Sequence, residues 1–294
     1  MEWNFNDGLK ALTHMKMRYS CRSFEDKPIP EELLRNILET GLAAASGGNI
    51  QPVSMVVISD KEINNEIFNM YRQPFIKMAA INIVFLLDLH RMSILAKHEK
   101  APYTCNDSYM HYLIGIEDVM CTAQTIETAV HLCGLGSCYV GSVNHGAPKL
   151  VELLNLNEMT FPVLMLSIGY PKDSPTIAPK LNFDMMVHMN KYRKQSDEEI
   201  LEGYREKYGS TEVPLPTEEP MRGEALERFK RALRTTYSEE ESEAITRKAD
   251  ENGFINRTQR QFGLHYNAHD MRKGGEEIIK DLENQKITPF YRKS

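Results

Sequence analysis

Residues 41–60, GLAAASGGNIQPVSMVVISD, constrain the fold more than any other stretch of this chain. Upstream, Leu33, Leu34, Ile37, Leu38 and Leu42 recur at helical spacing behind Pro30, a residue that suits the first turn of a helix. Residues 53–59 are dense in β-branched side chains and read as a buried strand. Between helix and strand lie Ser46, Gly47, Gly48, Asn49, Ile50, Gln51 and Pro52. The two glycines let the backbone turn, or let a flat ligand come close. Ser46, Asn49 and Gln51 carry hydroxyl and amide groups that match the polar edge of a heterocycle. A plain helix-to-strand turn, in which Asn and Gly serve positive φ, accounts for the same residues. Taken alone, they leave both readings open.

The chain before this stretch reads as a leading helix over 1–17, with Leu9, Leu12 and one of Met15 or Met17 on its buried side. That helix delivers Arg18, Ser20 and Arg22 in close order. Two forked guanidinium groups with a hydroxyl between them suit a phosphate. A solvated helix end, with basic residues at the negative pole of the helix dipole, explains them equally. Further on, 61–70 reads as a helix, 71–75 as a loop, 81–87 as a second strand ending at Asp88, and 90–100 as a helix before a loop over 101–107. Residues 114–132 form a long helix apolar on nearly every face, which belongs at the centre of a domain or in a subunit interface. The glycine-rich GLGSCYVGS of 134–142 either aims backbone N–H groups at a ligand or simply enters a strand tightly. A short helix over 148–154 and a third strand over 161–170 follow.

After Tyr192 the composition shifts. Residues 197–207 are a charged helical stretch, and 211–220 hold three prolines among acidic residues, as an extended loop does. Residues 221–252 carry helix-length patterns over 225–233 and 239–249 but too few apolar side chains for a core of their own. Aromatics return over 254–294, with a helix over 275–282. The expected organisation is a main domain over 1–195 and a charged helical extension over 196–294 packed on it. A net charge of −6 excludes a basic nucleic-acid surface. No apolar run reaches the ~18 residues of a membrane span. Five cysteines without a C-x-x-C pair, behind an acidic N-terminus unlike a signal peptide, point to reduced packing thiols in a cytoplasmic protein. There is no G-x-G-x-x-G after a first strand, no phosphate-binding G-x-x-x-x-G-K-[ST], no H-E-x-x-H or other metal spacing, and no G-x-S-x-G. No metal and no catalytic side chain is expected, so any catalysis belongs to a cofactor.

In order along the chain, these pieces resemble the flavin-dependent nitroreductase family, closest to its larger flavin reductase and major oxygen-insensitive nitroreductase branch. Arg18-x-Ser20-x-Arg22 with Phe24 and Pro28-Ile29 is similar to the family's opening motif. Ser46 to Pro52 resembles its P-S-x-x-N-x-Q-P signature, with Ala45 in place of proline. The long helix running into Gly134-Leu135-Gly136 and Tyr139-Val140-Gly141 fits, as do Ile168-Gly169-Tyr170-Pro171, Lys180 and Val187-His188. The resemblance spans 15–192. It implies an α+β fold with a mixed sheet wrapped by helices, and a homodimer with FMN at its interface. Arg18, Ser20 and Arg22 would hold the FMN phosphate, with Lys180 as a further cation. Ser46, Gly47 and Asn49 would line the flavin from across the interface, Gln73 would meet the pyrimidine edge, and the backbone of Val140, Gly141 and Ser142 would approach N5. The implied activity is ping-pong hydride transfer from NADPH or NADH to nitroaromatics, quinones or flavins. Two departures stand out: Pro179-Lys180 is the one basic match where the branch carries lysine and arginine, and its C-terminal arginines have no match over 265–272. The alternatives are a flavin-binding sensor or storage module that engages a partner through the charged 200–250 region, and a specialised reductive dehalogenase or flavin-degrading enzyme on the same scaffold.

Overall fold

The structure is a computed structural model that describes residues 5–290, with side chains from Asn6 onward. Contacts divide the chain into two compact units, one of residues 1–177 with 277–294 and one of residues 178–276.

The first unit is built on four strands: β1 Val53–Ile58, β2 Ile81–Asp88, β3 Gly136–Val140 and β4 Thr160–Gly169, in the order β1-β2-β4-β3. Every neighbouring pair is antiparallel. The mixed character expected of the sheet is confined, among the described residues, to one parallel bridge, Ser20 to Ser137 on the outer edge of β3. Around the sheet run α1 Phe5–Lys16, α2 Glu31–Leu42, α3 Lys61–Tyr71, α4 Phe75–Met78, α5 His90–His98, α6 Tyr109–Leu132 and α7 Ala147–Leu153. Residues 1–4 of the expected leading helix lie outside the described residues.

β2 shows why two apolar layers form. All eight of its residues are buried, and alternate side chains serve opposite faces. Ile83, Phe85 and Leu87 enter one core with Ile37 of α2 and Val119, Ala123 and Ile126 of α6. Val84 and Leu86 enter the other with Ile67 of α3, Phe75 and Ile76 of α4, and Leu150 of α7. The polar Asn82 within this strand is fully buried and fully used: its amide donates to Asn64 Oδ1 and the Ile76 carbonyl, and its oxygen accepts from Ser167 Oγ. A buried polar group so satisfied carries little of the cost that an orphan would.

The 18–24 segment runs as a strap along the sheet edge. Beyond the Ser20 bridge, Cys21 N donates to the Ser137 carbonyl at 2.8 Å, and Phe24 bridges to Pro171. Close approach explains two glycines here. A Cβ on Gly136 would come within 2.7 Å of Cys21, and one on Gly169 within 2.9 Å of Phe24.

The second unit comprises α8 Phe183–Met186, α9 Asp197–Tyr208, β5 Glu212–Pro214, α10 Met221–Leu233, α11 Glu239–Asn252, β6 Phe254–Asn256, α12 Arg257–Gln259 and a π-helical turn Arg260–His265. α13, Ala268–Asn284, begins in it and ends in the first unit. Its core is four buried residues, Leu215, Phe229, Ala249 and Ile255. Residues 221–252 supply only two of these; Leu215 follows β5 in the proline-bearing stretch and Ile255 lies on β6 just past α11, the two strands pairing antiparallel across the intervening helices. Capping boxes start α9 at Ser196/Glu199 and α11 at Ser238/Glu241.

Candidate functional site

The site grows from α6. Its buried residues Gly115, Asp118, Val119, Thr122, Ala123, Ile126, Glu127 and Val130 fall, at ~100° per residue, on one half of the helix circumference. Asp118 stands at one edge of that half and Glu127 at the other, with apolar residues between. Both carboxylates are buried, 5% and 1% exposed. Each holds one of the ligand-type segments.

Asp118 organises the 46–51 loop. Its Oδ2 accepts from Ser46 Oγ and its Oδ1 from Gly47 N–H, both at 2.9 Å. Ser46 Oγ in turn accepts from Gln51 N–H at 2.7 Å. Ser46 is thereby a loop-building residue, its hydroxyl turned inward. Gly47 is required by contact: a Cβ there would lie 2.6 Å from Ile114. Gly48, Asn49 and Gln51 all take left-handed φ, at 57°, 54° and 53°, a region that Asn and Gly enter readily and Gln enters with strain. Asn49 is exposed at the surface of this turn.

Glu127 holds the strap. Its Oε1 lies 3.3 Å from Arg18 Nη1 and its Oε2 accepts from Gln124 Nε2 at 2.8 Å. Arg18 is one-third exposed and Arg22 exposed. Burial raises the Cys138 thiol above its ordinary value, and the guanidinium groups of Arg22 and Arg18 both pull it back. Both guanidinium groups are thus near enough to act on Cys138, the middle residue of β3. Tyr139, next on the strand, has a phenol raised by burial and by the Glu127 carboxylate, with Arg18 opposing. Its Oη is buried without a hydrogen-bond partner.

β3 then runs through buried Val140 into a 3₁₀ turn, Gly141–Asn144. Gly141 faces open space, with no heavy atom within 4 Å of where a Cβ would stand. Tyr71 Oη, at the end of α3, donates to the Val143 carbonyl at 3.0 Å. Gln73, two residues on, is exposed in the short connection between α3 and α4. Ser142 is exposed in the turn after β3 and lines a cleft of about 710 Å³ with Tyr71, His145, Lys149 and Lys280.

The first unit thus sets the 18–22 strap along β3, which runs out through Val140, Gly141 and Ser142, and holds Ser46 and Gly47 on the opposite edge of α6; no contact among the described residues brings Gln73 to either group. Lys180 belongs to the second unit, on exposed irregular chain before α8. Reading the sequence misses Asp118, Glu127 and Gln124, and quotes Tyr139 as part of a motif without giving it a role. A signal was present for two of them: an acid inside an otherwise apolar helix needs a partner.

A model of the nitroreductase family matches residues 15–170. An NADPH-dependent oxidoreductase of Staphylococcus saprophyticus is 31% identical over 195 residues, covering 65% of this chain and 78% of that protein. The NADPH:FMN oxidoreductase from Vibrio harveyi, solved with NAD+, is similar with a TM-score of 0.61 at 29% identity, over 66% of this chain and 82% of its own. NfrA2 of B. megaterium matches 96% of this chain and 99% of its own with a TM-score of 0.68; at 21% identity that likeness concerns the fold. With the strap, the loop and the β3 exit all inside a family match that spans more than half of its length, this chain belongs to the nitroreductase family.

Proposed function

We propose that the protein is an FMN-dependent NAD(P)H oxidoreductase that reduces small electron acceptors such as nitroaromatics, quinones or flavins by a ping-pong route. One observation carries the reading: the strap bearing Arg18, Ser20 and Arg22 lies along a single strand edge, bridged at Ser20 to Ser137, and that strand runs out into open, side-chain-free backbone at Gly141. A phosphate-tailed flat ring needs those two features in that order. The relatives' NADPH and FMN chemistry supports it.

The residues fit the cofactor. Arg18, Ser20 and Arg22 would hold the phosphate; the backbone from Val140 to Ser142 would lie beside the ring, and Gln73 would reach its pyrimidine edge. The orphaned Tyr139 hydroxyl adds a buried donor beside Arg18. When bound, the flavin accepts hydride from the nicotinamide donor and passes it to the acceptor. The chain's part would be to position and shield the ring, with the Gly141 and Ser142 backbone amides as fixed dipoles beside it.

The same reading includes a homodimer in which Ser46, Gly47 and Asn49 line the flavin from across the interface. Its support is the outer half of α6, where Met110, Leu113, Met120 and Leu132 are 60%, 37%, 41% and 45% exposed among the polar Glu117, Gln124 and Thr128. Four large apolar side chains left in water on one helix suit an interface. The 196–294 region we read as a charged helical extension of the catalytic domain.

The test is a visible spectrum of the purified protein, followed by anaerobic NADPH and then NADH. A flavin spectrum that bleaches with either donor supports the reading and gives the donor preference. A bound flavin that stays oxidised favours a sensor, and absence of flavin after reconstitution with FMN rejects the assignment.

A further inference from the structure

A phosphate site gains nothing from a carboxylate set beside its arginine, yet Glu127 is there. It is 1% exposed, and its nearest cation is Arg18 at 3.3 Å. Gln124 fixes its other oxygen, so the carboxylate cannot swing away. The ion pair is longer than the 2.7–2.9 Å of a strong charge-assisted bond, and it engages one nitrogen of a fork that offers five donors. Arg18 is thus tethered but not saturated. Among the described residues no carboxylate pairs with Arg22. The two arginines of the strap differ in effective charge although the sequence presents them alike.

We infer that Glu127 is a positioning residue for the phosphate end of the site: it aims Arg18 and cancels much of its charge, weakening the grip on a phosphate monoester. The inference rests on the FMN reading above and deepens it. A flavin held this way exchanges with free FMN more readily than one held by two unopposed arginines, which suits a protein whose acceptors include free flavin.

The physical expectation is direct. A buried negative charge beside the phosphate repels it, and the low local dielectric keeps that repulsion strong. Glu127→Gln removes the charge, keeps the volume, and leaves oxygen and amide groups for Arg18 and Gln124.

The experiment titrates the full-length apoprotein with FMN and, separately, with riboflavin, which lacks the phosphate, at low and high salt. Wild type, E127Q, R18Q, R22Q and R18Q/E127Q are compared. E127Q is expected to bind FMN about three- to tenfold more tightly, with a steeper salt dependence and unchanged affinity for riboflavin. R18Q should weaken FMN binding more in the E127Q background than in the wild type. FMN affinity in E127Q that is unchanged or lower, with riboflavin unaffected, overturns the inference. If E127Q fails to fold, R18Q and R22Q decide: an R18Q loss clearly smaller than that of R22Q supports the tempering of Arg18, and equal losses overturn it. A wild-type protein that binds neither flavin removes the oxidoreductase reading and this one together. One that binds FMN while E127Q changes nothing removes this one alone.

Discussion

The two units are stabilised by different means. The first packs two apolar layers on a sheet whose central strand is wholly buried, and two of its three buried carboxylates among the described residues, Asp118 and Glu127, each hold a segment near the site, Asp88 being the third. The second has four fully buried core residues and relies on helix caps and surface ion pairs, among them Arg222 with Asp250, Lys230 with Glu243 at 2.8 Å, and Arg234 with Glu239. Exposed pairs of that kind contribute little each, ~0–1 kcal/mol, and are screened by salt. Buried acids in the first unit govern where ligand-type loops lie; surface charges in the second govern little beyond its own helices.

The strongest way to break this contrast is in the cores. Phe85→Ala should cost about 3–5 kcal/mol, because the site cannot collapse around a side chain with 0% exposure in the middle of the sheet. Phe229→Ala should cost a comparable amount but confine its damage to the second unit. Hydrogen exchange would show protection lost over 178–276 and kept in β2. Loss spread equally across both units would mean that they are not separately stabilised.

Next comes Asp118→Ala. It strips acceptors from Ser46 Oγ and Gly47 N–H, for about 2–3 kcal/mol, with amide protection lost first over 46–51. A loop that stays protected would reassign its order to Gly47 packing on Ile114.

Removing the α11 cap with Ser238→Ala should cost about 1 kcal/mol, read as earlier melting of the second unit.

The finest test uses pH, because one aspartate in each unit is shifted in opposite directions. The Asn267 amide, with Arg228, holds Asp270 below its ordinary value of 3.8. Its stabilisation is complete above that value and is lost as pH falls through the lowered one. Burial, with Glu277, raises Asp281. Ionising Asp281 therefore costs the folded state, and the cost appears as pH rises from 3.8 through the raised value. At pH 7 Asp270→Asn should lower the melting temperature and Asp281→Asn should raise it; well below pH 4 both differences should vanish. Matching signs at pH 7 would remove the distinction.

Much of this was legible from spacing. Helices α2, α3, α5 and α7 and strands β1, β2 and β4 follow from the apolar pattern within a residue or two, the helices from their spacing and β2 and β4 as apolar runs buried on both faces. β3 was ambiguous because Gly136 and Ser137 carry no strand signal; the strap and β4 make it an edge strand. α6 began earlier than its apolar run suggests, since Ser108 caps it at His111 N–H. The 46–52 loop was visible as a ligand-type turn, but the inward aim of Ser46 was not. A hydroxyl's partner is set by a carboxylate 72 residues away, and local sequence contains no trace of such a pairing. Arg18 and Arg22 looked equivalent for the same reason.

That 72-residue separation also has a consequence in time. During synthesis at ~5–20 residues per second, the Ser46 loop leaves the ribosome several seconds before Asp118 does. Through that interval the nascent chain carries the family's most recognisable loop with nothing to fold it against. On the cofactor reading proposed above, flavin capture would therefore wait until α6 and the β3 exit behind it have both emerged.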